Sequence, residues 1–522
     1  MSTISHFIRN NILLFIVFIT GAAVLILEVS ATRILSPYFG NTIYTVSSII
    51  SVILLALSGG YYVGGRLADK QATIILFYSI IAISGFSVFV LFIFILFLLP
   101  KFGNLFSLQS GPLISSLILF LFPNFLLGLL SPIVAKLQKM NSKKIGVGRI
   151  TGDVFFWSTL GSILGSLATG FIFIPFFGID IIILGVAGIL ISIGLIGLGR
   201  EKIDKQILRK LSILFFLLAG LSSLLFIEKI QNLEKIAVYA NDGVYERLSI
   251  FDGTYKGKPT RFFQQDKSNS AAMFLDSPEL VYDYSKYYAI YKLANPNIKN
   301  ALVIGGGAYS IPKALLQDSP EIQVDVAEIE PSLFDLSKKY FNLPTTSRLK
   351  NHVTDGRRFL HDSRQQYDLI FSDVYYSLYS IPTHFVTQEF FRLSKDKLNP
   401  QGFFIANLIG TFSRSSPSFI LSEIKTFQTV YPNSYFFAVT SQDPLYPQNI
   451  IMVGYNSSEK IDFEKARQST DTYFQSIPDK EVALDDFDLT PYAIFTDNYA
   501  PVDYYNAHTL EAVSKENQRL IK

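Results

Sequence analysis

Cysteine is absent from the 522 residues, which removes disulfides, thiolate metal sites and a cysteine nucleophile while leaving the compartment open. Histidine is scarce: the five present are scattered, with no HxxxH or HxH spacing, so no metal is expected. The formal net charge is only +3 and no basic run alternates with aromatics, so nucleic acid is not an expected partner. No GxxxxGK[ST] loop is present for a triphosphate. Apolar residues, by contrast, are abundant. A hydrophobic content of 49% is too high for a wholly soluble chain of this length. Nearly all the long apolar runs fall before about residue 230, so the chain divides into a membrane half and a soluble half.

In the membrane half, Ile12 to Val29 is long enough to span and reads as an anchor rather than a signal peptide. Further runs at roughly 43–64, 73–99, 112–135, 153–176, 178–198 and 211–227 bring the expectation to about seven spans, the last at the short limit for crossing. Glu28 and Arg33 flank the end of the first helix, and ionisable groups at that depth mark either function or an interfacial ion pair. Gly161, Gly165, Ala168 and Gly170 form a stripe of small residues of the kind that lets helices approach closely. Gly64 to Lys70, GGRLADK, resembles the loop after the second helix of major-facilitator transporters. Basic residues concentrate at Arg9, at Arg66 and Lys70, from Lys136 to Arg149 and from Arg200 to Lys210. The positive-inside rule puts these on the cytoplasmic side. Seven full crossings would then export the soluble half, whereas a cytoplasmic soluble domain requires that the last run not cross. The cytoplasmic placement, on an inner membrane, is the one expected.

The soluble half is organised around Ala301 to Glu330, ALVIGGGAYSIPKALLQDSPEIQVDVAEIE. Leu302, Val303 and Ile304 suit a buried parallel strand. Gly305, Gly306 and Gly307 then make a turn without side chains, where a ligand can reach the first amides of a helix. Ile311 to Gln317 has helical spacing, Ile322 to Ala327 is a second strand, and Glu328 sits at its carboxyl end, placed to accept from both hydroxyls of a ribose. Ser310 stands where the third glycine of GxGxxG would be, so S-adenosylmethionine or a relative fits better than NAD. Upstream, Val244 to Leu275 reads as short strands, with a hairpin around Asp252-Gly253, and Pro278 to Leu293 as a helix joining them to the nucleotide fold. Downstream, Ser332 to Tyr340 is a helix, Asp355-Gly356 ends a third strand, and Asp373 tips a fourth that starts at Tyr367. Gly402 to Asn407 and Ile450 to Tyr455 supply later strands. The alternation implies a doubly wound, mostly parallel sheet. Glu328, Asp355 and Asp373 thus lie at the edge where such sheets bind ligands, although a helix after Asp355 also suits that residue as an N-cap.

These motifs resemble the spermidine synthase (aminopropyltransferase) superfamily, in particular its multi-pass membrane fusions. The resemblance is carried by LVIGGGAYS, VAEIEPSLFDLSKKYF, VTDGRRFL, YDLIFSDVYYS, SIPTHFVTQEFF and FTDNYAPVDYY, with ITGAAVLILEVSATRILSPYFG in the first helix. It implies a multi-pass helical membrane domain over residues 1–230, a small β-subdomain with its joining helix over 236–295, and a Rossmann-like, class I methyltransferase-type domain over 296–522. It further implies that Gly305, Gly306 and Gly307 line the ligand, that Glu328 holds the ribose, and that Asp355 and Gly356 meet the adenine. Asn269 falls where the family has a ligand-contacting Gln, and Tyr284 where a Tyr lines the amine pocket. The implied substrates are S-adenosylmethionine or its decarboxylated form and an amine acceptor, and a two-fold dimer is usual for the superfamily.

Two departures bear on the chemistry. Ala308 follows the third glycine, where aminopropyl-transferring members carry Asp. Tyr376, or Tyr379 in an alternative alignment, replaces the acid expected a few residues after Asp373. The ammonium of a decarboxylated donor and the proton of an attacking amine therefore lack their usual partners, and tyrosine is a poor base near neutral pH. Three readings follow: a membrane-bound transferase with Asp373, Tyr376 and Tyr284 around the acceptor; a catalytically silent nucleoside-binding module on a membrane carrier or sensor; and a methyltransferase.

Overall fold

The computed structural model describes residues 2–103, 105–142, 145–201, 237–374 and 381–508, with single positions between 202 and 236. The chain divides into two compact units, Met1–Lys235 and Ile236–Lys522.

The first unit is helical. Its elements are α1 (Ser2–Phe39), α2 (Ile43–Gln71), α3 (Ile74–Phe97), the single turn α4 (Leu99–Phe102), α5 (Gly111–Gly128), α6 (Leu130–Asn141), α7 (Val147–Ala168) and α8 (Ile174–Arg200). Threonines start two of them: the Thr42 hydroxyl accepts the Thr45 N–H, and Thr73 accepts that of Leu76, each satisfying a donor that the helix cannot. Among the described residues, five stretches are long and apolar enough to cross a membrane. The fifth, Val147–Arg200, is 54 residues long, far beyond the ~20 residues one crossing needs. It breaks at Gly178, whose φ of 69° and ψ of 162° leave the helix. The runs expected at 153–176 and 178–198 are thus two arms meeting at one glycine. The seventh run, 211–227, lies almost entirely outside the described residues.

Glycine fixes how these helices pair. A Cβ on Gly165 would come within 2.7 Å of the Ala22 carbonyl oxygen, and one on Gly161 would run into Phe18, so the small stripe of α7 is packing against α1. Gly170, which has open space around it, takes no part. Gly60 and Gly64 of α2 abut Gly128 and Leu129, and Gly85 of α3 abuts Ile191 of α8. Backbones this close gain dispersion and need no polar contact. Along α3 and α8 the partners Gly85–Ile191, Ala82–Gly194 and Tyr78–Gly197 run in opposite senses. Along α1 and α7, Phe18–Gly161 and Ala22–Gly165 run in the same sense.

The second unit carries two sheets. The smaller is antiparallel, in the order β1 (Ala237–Asp242), β2 (Arg247–Tyr255), β3 (Lys258–Gln265), β4 (Ser268–Phe274). The hairpin expected at Asp252-Gly253 turns instead at Lys256-Gly257, whose φ values of 49° and 80° are those of a two-residue primed turn. Asp252 stays within β2 because it pairs with Arg261 across the ladder, Nε to Oδ1 at 2.7 Å. The joining helix is also different. Asp283–Leu293 is a 3₁₀ helix that buries Tyr287, Tyr288, Ile290, Tyr291 and Leu293.

The larger sheet has seven strands in the order β10 (Ser434–Ala438), β11 (Gln448–Tyr455), β9 (Leu398–Gly410), β8 (Tyr367–Ser372), β5 (Asn300–Ile304), β6 (Gln323–Glu328), β7 (Leu349–Val353). The pairs β9–β8, β8–β5, β5–β6 and β6–β7 are parallel, and β11 alone runs antiparallel to its neighbours. This is the Rossmann-like, class I methyltransferase-type sheet. Its centre is wholly apolar: Leu302, Val303 and Ile304 are buried, as are Phe403, Phe404 and Ile405 in β9. The chain leaves β5 towards β6 on one side and returns to β8 on the other, so the crevice between β5 and β8 is the switch point where such sheets take a ligand.

Candidate active site

Six neighbouring strands each deliver one polar or glycine position to a single cavity of about 570 Å³. In sheet order these are Asn449 from β11, Asn407 from β9, Asp373 after β8, Gly305 after β5, Glu328 at the end of β6 and Asp355 after β7. The fourth wall comes from the small sheet and the 3₁₀ helix, through Asn269, Tyr284 and their neighbours.

The glycine turn has a steric or conformational cause at each position. Gly305 adopts φ +88°, and a Cβ there would strike the Asp373 carbonyl. A Cβ on Gly306 would come within 2.7 Å of the Tyr309 ring, whereas one on Gly307 would meet only the Ala271 methyl at 3.8 Å, so there the left-handed φ of +51° is the cause. The turn closes with Tyr309 itself left-handed at φ 56°. Its buried hydroxyl donates to Asn351 Oδ1 at 2.6 Å.

Glu328 is almost fully buried. Its Oε2 accepts the Gly306 N–H at 2.6 Å and its Oε1 the Glu330 N–H at 2.7 Å. Burial pushes the carboxyl above its ordinary value, and the amide bonds from Glu330 and Gly306 oppose that shift. Each oxygen keeps a lone pair for a hydroxyl of a ligand. Asp355 is the N-cap that its position allowed: Oδ1 accepts the Arg358 N–H at 2.9 Å. Its Oδ2 meets His384 Nε2 at 2.9 Å. Burial works against ionisation here, but the bonds from His384 and Arg358 outweigh it and hold the carboxyl below its ordinary value. Gly356 is buried against Ile304, where a side chain would collide, so packing alone accounts for its glycine.

Asp373 borders the cavity with Oδ1 accepting from Asn407 Nδ2 at 2.8 Å. Burial raises its pKa, and bonds from Asn407 and the Tyr284 hydroxyl pull it back. Tyr284 also stands 3.4 Å from the Ser270 carbonyl. Asn269 is exposed at the rim and accepts from Gln264 Nε2 at 3.3 Å. Ala308 is buried and offers no charge. Tyr376 and Tyr379 lie outside the described residues. No cluster of three or more metal-ligating side chains occurs among the described residues.

Residues 288–465 match the family model described as spermine/spermidine synthase domain. This stretch is a spermine/spermidine synthase domain. The polyamine aminopropyltransferase of Vibrio vulnificus is 31% identical over 153 residues, 29% of this chain and 49% of that protein. The eEF1A lysine and N-terminal methyltransferase of Bos taurus is 31% identical over 118 residues, 21% of this chain and 17% of its own. The chain thus spans about half the length of the first relative and less of the second. Among solved structures, a probable spermidine synthase from Corynebacterium glutamicum has a TM-score of 0.38 at 21% identity, covering 44% of this chain and 83% of its own.

The second unit also holds residues that motif reading passed over. Glu330 is buried, its Oε2 accepting the Tyr245 N–H at 3.1 Å and its Oε1 the Ser332 hydroxyl at 2.8 Å. It thereby ties the β1–β2 turn to the end of β6. Asp497 of FTDNYAP accepts from Arg357 Nη1 and from the Thr387 hydroxyl, both at 2.7 Å. Arg357 also donates to the His384 carbonyl at 3.0 Å, which braces the imidazole against Asp355. Lys267, at the β3–β4 tip, borders the cavity, and burial lowers its pKa. Asn407 was legible only as a polar residue interrupting the apolar run of β9.

Proposed function

We propose that the second unit is a transferase that moves an alkyl group from a sulfonium nucleoside, S-adenosylmethionine or its decarboxylated form, to an amine acceptor. We further propose that the first unit anchors it in a bilayer. The observation that carries this reading is the meeting of Glu328, the glycine turn and Asp373 in one cavity. A ribose-binding carboxylate and a proton-accepting carboxylate then flank the same space. In the reaction the amine lone pair attacks the carbon next to sulfur and the C–S bond breaks. Its electrons stay on sulfur, leaving a neutral thioether nucleoside, and the nitrogen's proton passes to Asp373. The sulfonium is an excellent leaving group, so positioning supplies most of the acceleration.

A methyl transfer from the carboxylated donor is the second reading. It is favoured by Ala308, which gives the donor's tail no anionic partner. A silent nucleoside-binding module would keep Glu328 and lose turnover. For the first unit, six crossings follow if Gly178 is a turn, and residue 200 then returns to the side of the N-terminus. That parity supports a cytoplasmic second unit. Calorimetric titration of the full chain in detergent with S-adenosylmethionine, its decarboxylated form and methylthioadenosine tests the site. Micromolar binding of all three, with turnover of the decarboxylated donor on an amine, is expected. Turnover of only the carboxylated donor would replace this reading with methyl transfer, and binding without turnover would replace it with the silent module.

A further inference from the structure

Asp373 does not stand alone in its wall. Asn407 Nδ2 donates to Asp373 Oδ1 at 2.8 Å, and Asn449 Nδ2 donates to Asn407 Oδ1 at 2.9 Å. The chain crosses three adjacent strands, β8, β9 and β11, and all three side chains border the cavity. Asn407 is buried to 5% exposure within the apolar run from Phe403 to Ile409. A buried amide in such a strand costs stability unless both of its ends are satisfied. Here both are.

The chain has a direction. An amide can flip, but the Asp373 carboxylate can only accept, so Asn407 turns its N–H₂ towards Asp373 and its oxygen towards the Asn449 N–H₂ on the β11 side. Oδ1 of Asp373 therefore always faces a donor. That bond disfavours a proton on Oδ1 and so favours Oδ2 as the oxygen that takes one up. We propose that Asn407 and Asn449 are positioning residues that make Asp373 a one-sided acceptor, with Oδ1 locked and Oδ2 the atom that receives the proton of the acceptor amine. This rests on the amine-acceptor reading of the same cavity. It explains how one carboxylate serves where a second acid is absent: its orientation and protonation site are set by neutral donors rather than by another charge.

Asn449→Leu tests the direction of the chain. A leucine at 449 adds no charge and donates nothing, so it cannot hold the Asn407 oxygen, and Asn407 is released to flip away from Asp373. Asn407→Leu removes the bond outright. The experiment is calorimetric binding of 1,4-diaminobutane to the full-length protein saturated with methylthioadenosine, from pH 5 to pH 8. Affinity depends on the Asp373 carboxylate, so it falls on the acid side. Both variants are expected to move that fall to higher pH by about one unit, the size of a charge-assisted hydrogen bond. Methylthioadenosine affinity should stay within about twofold of wild type, which reports a folded site. Tyr284 also bonds Asp373, and Glu246, Lys267, Asp283, Glu328, Glu330 and Asp355 border the cavity. All are intact in both variants, so the difference from wild type isolates the amide chain. Diamine binding with an unchanged pH profile in both variants would overturn the positioning role and leave the amine-acceptor reading standing. No diamine binding by the wild type would overturn both.

Discussion

Replacing Gly305 with alanine perturbs the site at one atom. The residue sits at φ +88°, and the added methyl points at the Asp373 carbonyl, a backbone atom that cannot rotate away. Both ends of this contact are pinned: Gly305 N–H donates to the Ala327 carbonyl at 3.0 Å and Asp373 N–H to the Ile304 carbonyl at 2.9 Å. A left-handed conformation costs a non-glycine residue roughly 1–2 kcal/mol, and overpacking adds roughly 1–3 kcal/mol. The sum, about 2–5 kcal/mol, is a large part of a domain's stability. Gly307→Ala is the internal control. Its φ of +51° carries the same conformational cost, but its methyl meets only the Ala271 methyl at 3.8 Å. Thermal denaturation of the full-length protein, followed by near-ultraviolet circular dichroism of its tyrosines, should show Gly305→Ala melting roughly 4–20 °C below wild type. Gly307→Ala should fall near the bottom of that range while losing nucleoside affinity, because its methyl projects into the cavity. Equal melting of the two variants, or a Gly305→Ala protein within about 2 °C of wild type, would refute the steric account of the turn.

Three further outcomes are expected. Glu328→Gln should weaken methylthioadenosine binding by about 1.5–3 kcal/mol, the value of hydrogen bonds to a charged group, as read by calorimetry; unchanged affinity would remove Glu328 from the ribose site. Asp373→Asn should abolish transfer while leaving nucleoside affinity intact. In the wild-type protein the rate should fall with decreasing pH at a value above the ordinary aspartate range, because burial raises this carboxyl and only its ionised form accepts the proton. A fall at the ordinary value would mean that Asp373 is solvated during turnover. Glu423 is fully buried with neither carboxyl oxygen hydrogen-bonded, and burial pushes its pKa well up. A raised carboxyl binds its proton more tightly folded than unfolded, so its contribution to stability is lost as pH rises above the unfolded value. Glu423→Leu should therefore stabilise by about 1–3 kcal/mol, more at pH 8 than at pH 5, in thermal melts at the two pH values. Destabilisation at both would mean that the carboxyl is satisfied.

The strands that hold the ligand edge were legible because each signal is local. A buried apolar run, three glycines and a terminal acid are contiguous in Leu302–Gly307 and in Val324–Glu328, and the fold leaves them where the pattern puts them. Errors arose where a local signal met a non-local partner. Asp252-Gly253 is a strong turn dipeptide, yet Arg261 nine residues on holds Asp252 in the ladder. The tyrosines at 284, 287, 288 and 291 have α-helical spacing, yet the backbone there winds as the tighter 3₁₀ helix, which no residue spacing in the stretch announces. Asn407 and Asn449 stand 42 residues apart, and Arg357 reaches Asp497 across 140. No motif links such pairs until the sheet order brings their strands together. In the first unit, hydropathy already separated the runs at 153–176 and 178–198, and the backbone at Gly178 is where the two arms meet.

Glu330 has a consequence for regulation of the site by its own ligand. Its N–H caps the Glu328 carboxylate, and its carboxylate caps the Tyr245 N–H on the β1–β2 turn. One side chain therefore joins Glu328 to the small sheet that walls the cavity. A ligand that draws Glu328 into new hydrogen bonds changes the free energy with which that turn is seated. By reciprocity, whatever loosens the turn must weaken the ligand by the same factor. Substitutions on the outer sheet, with no atom in the cavity, thereby become thermodynamic effectors of its occupancy.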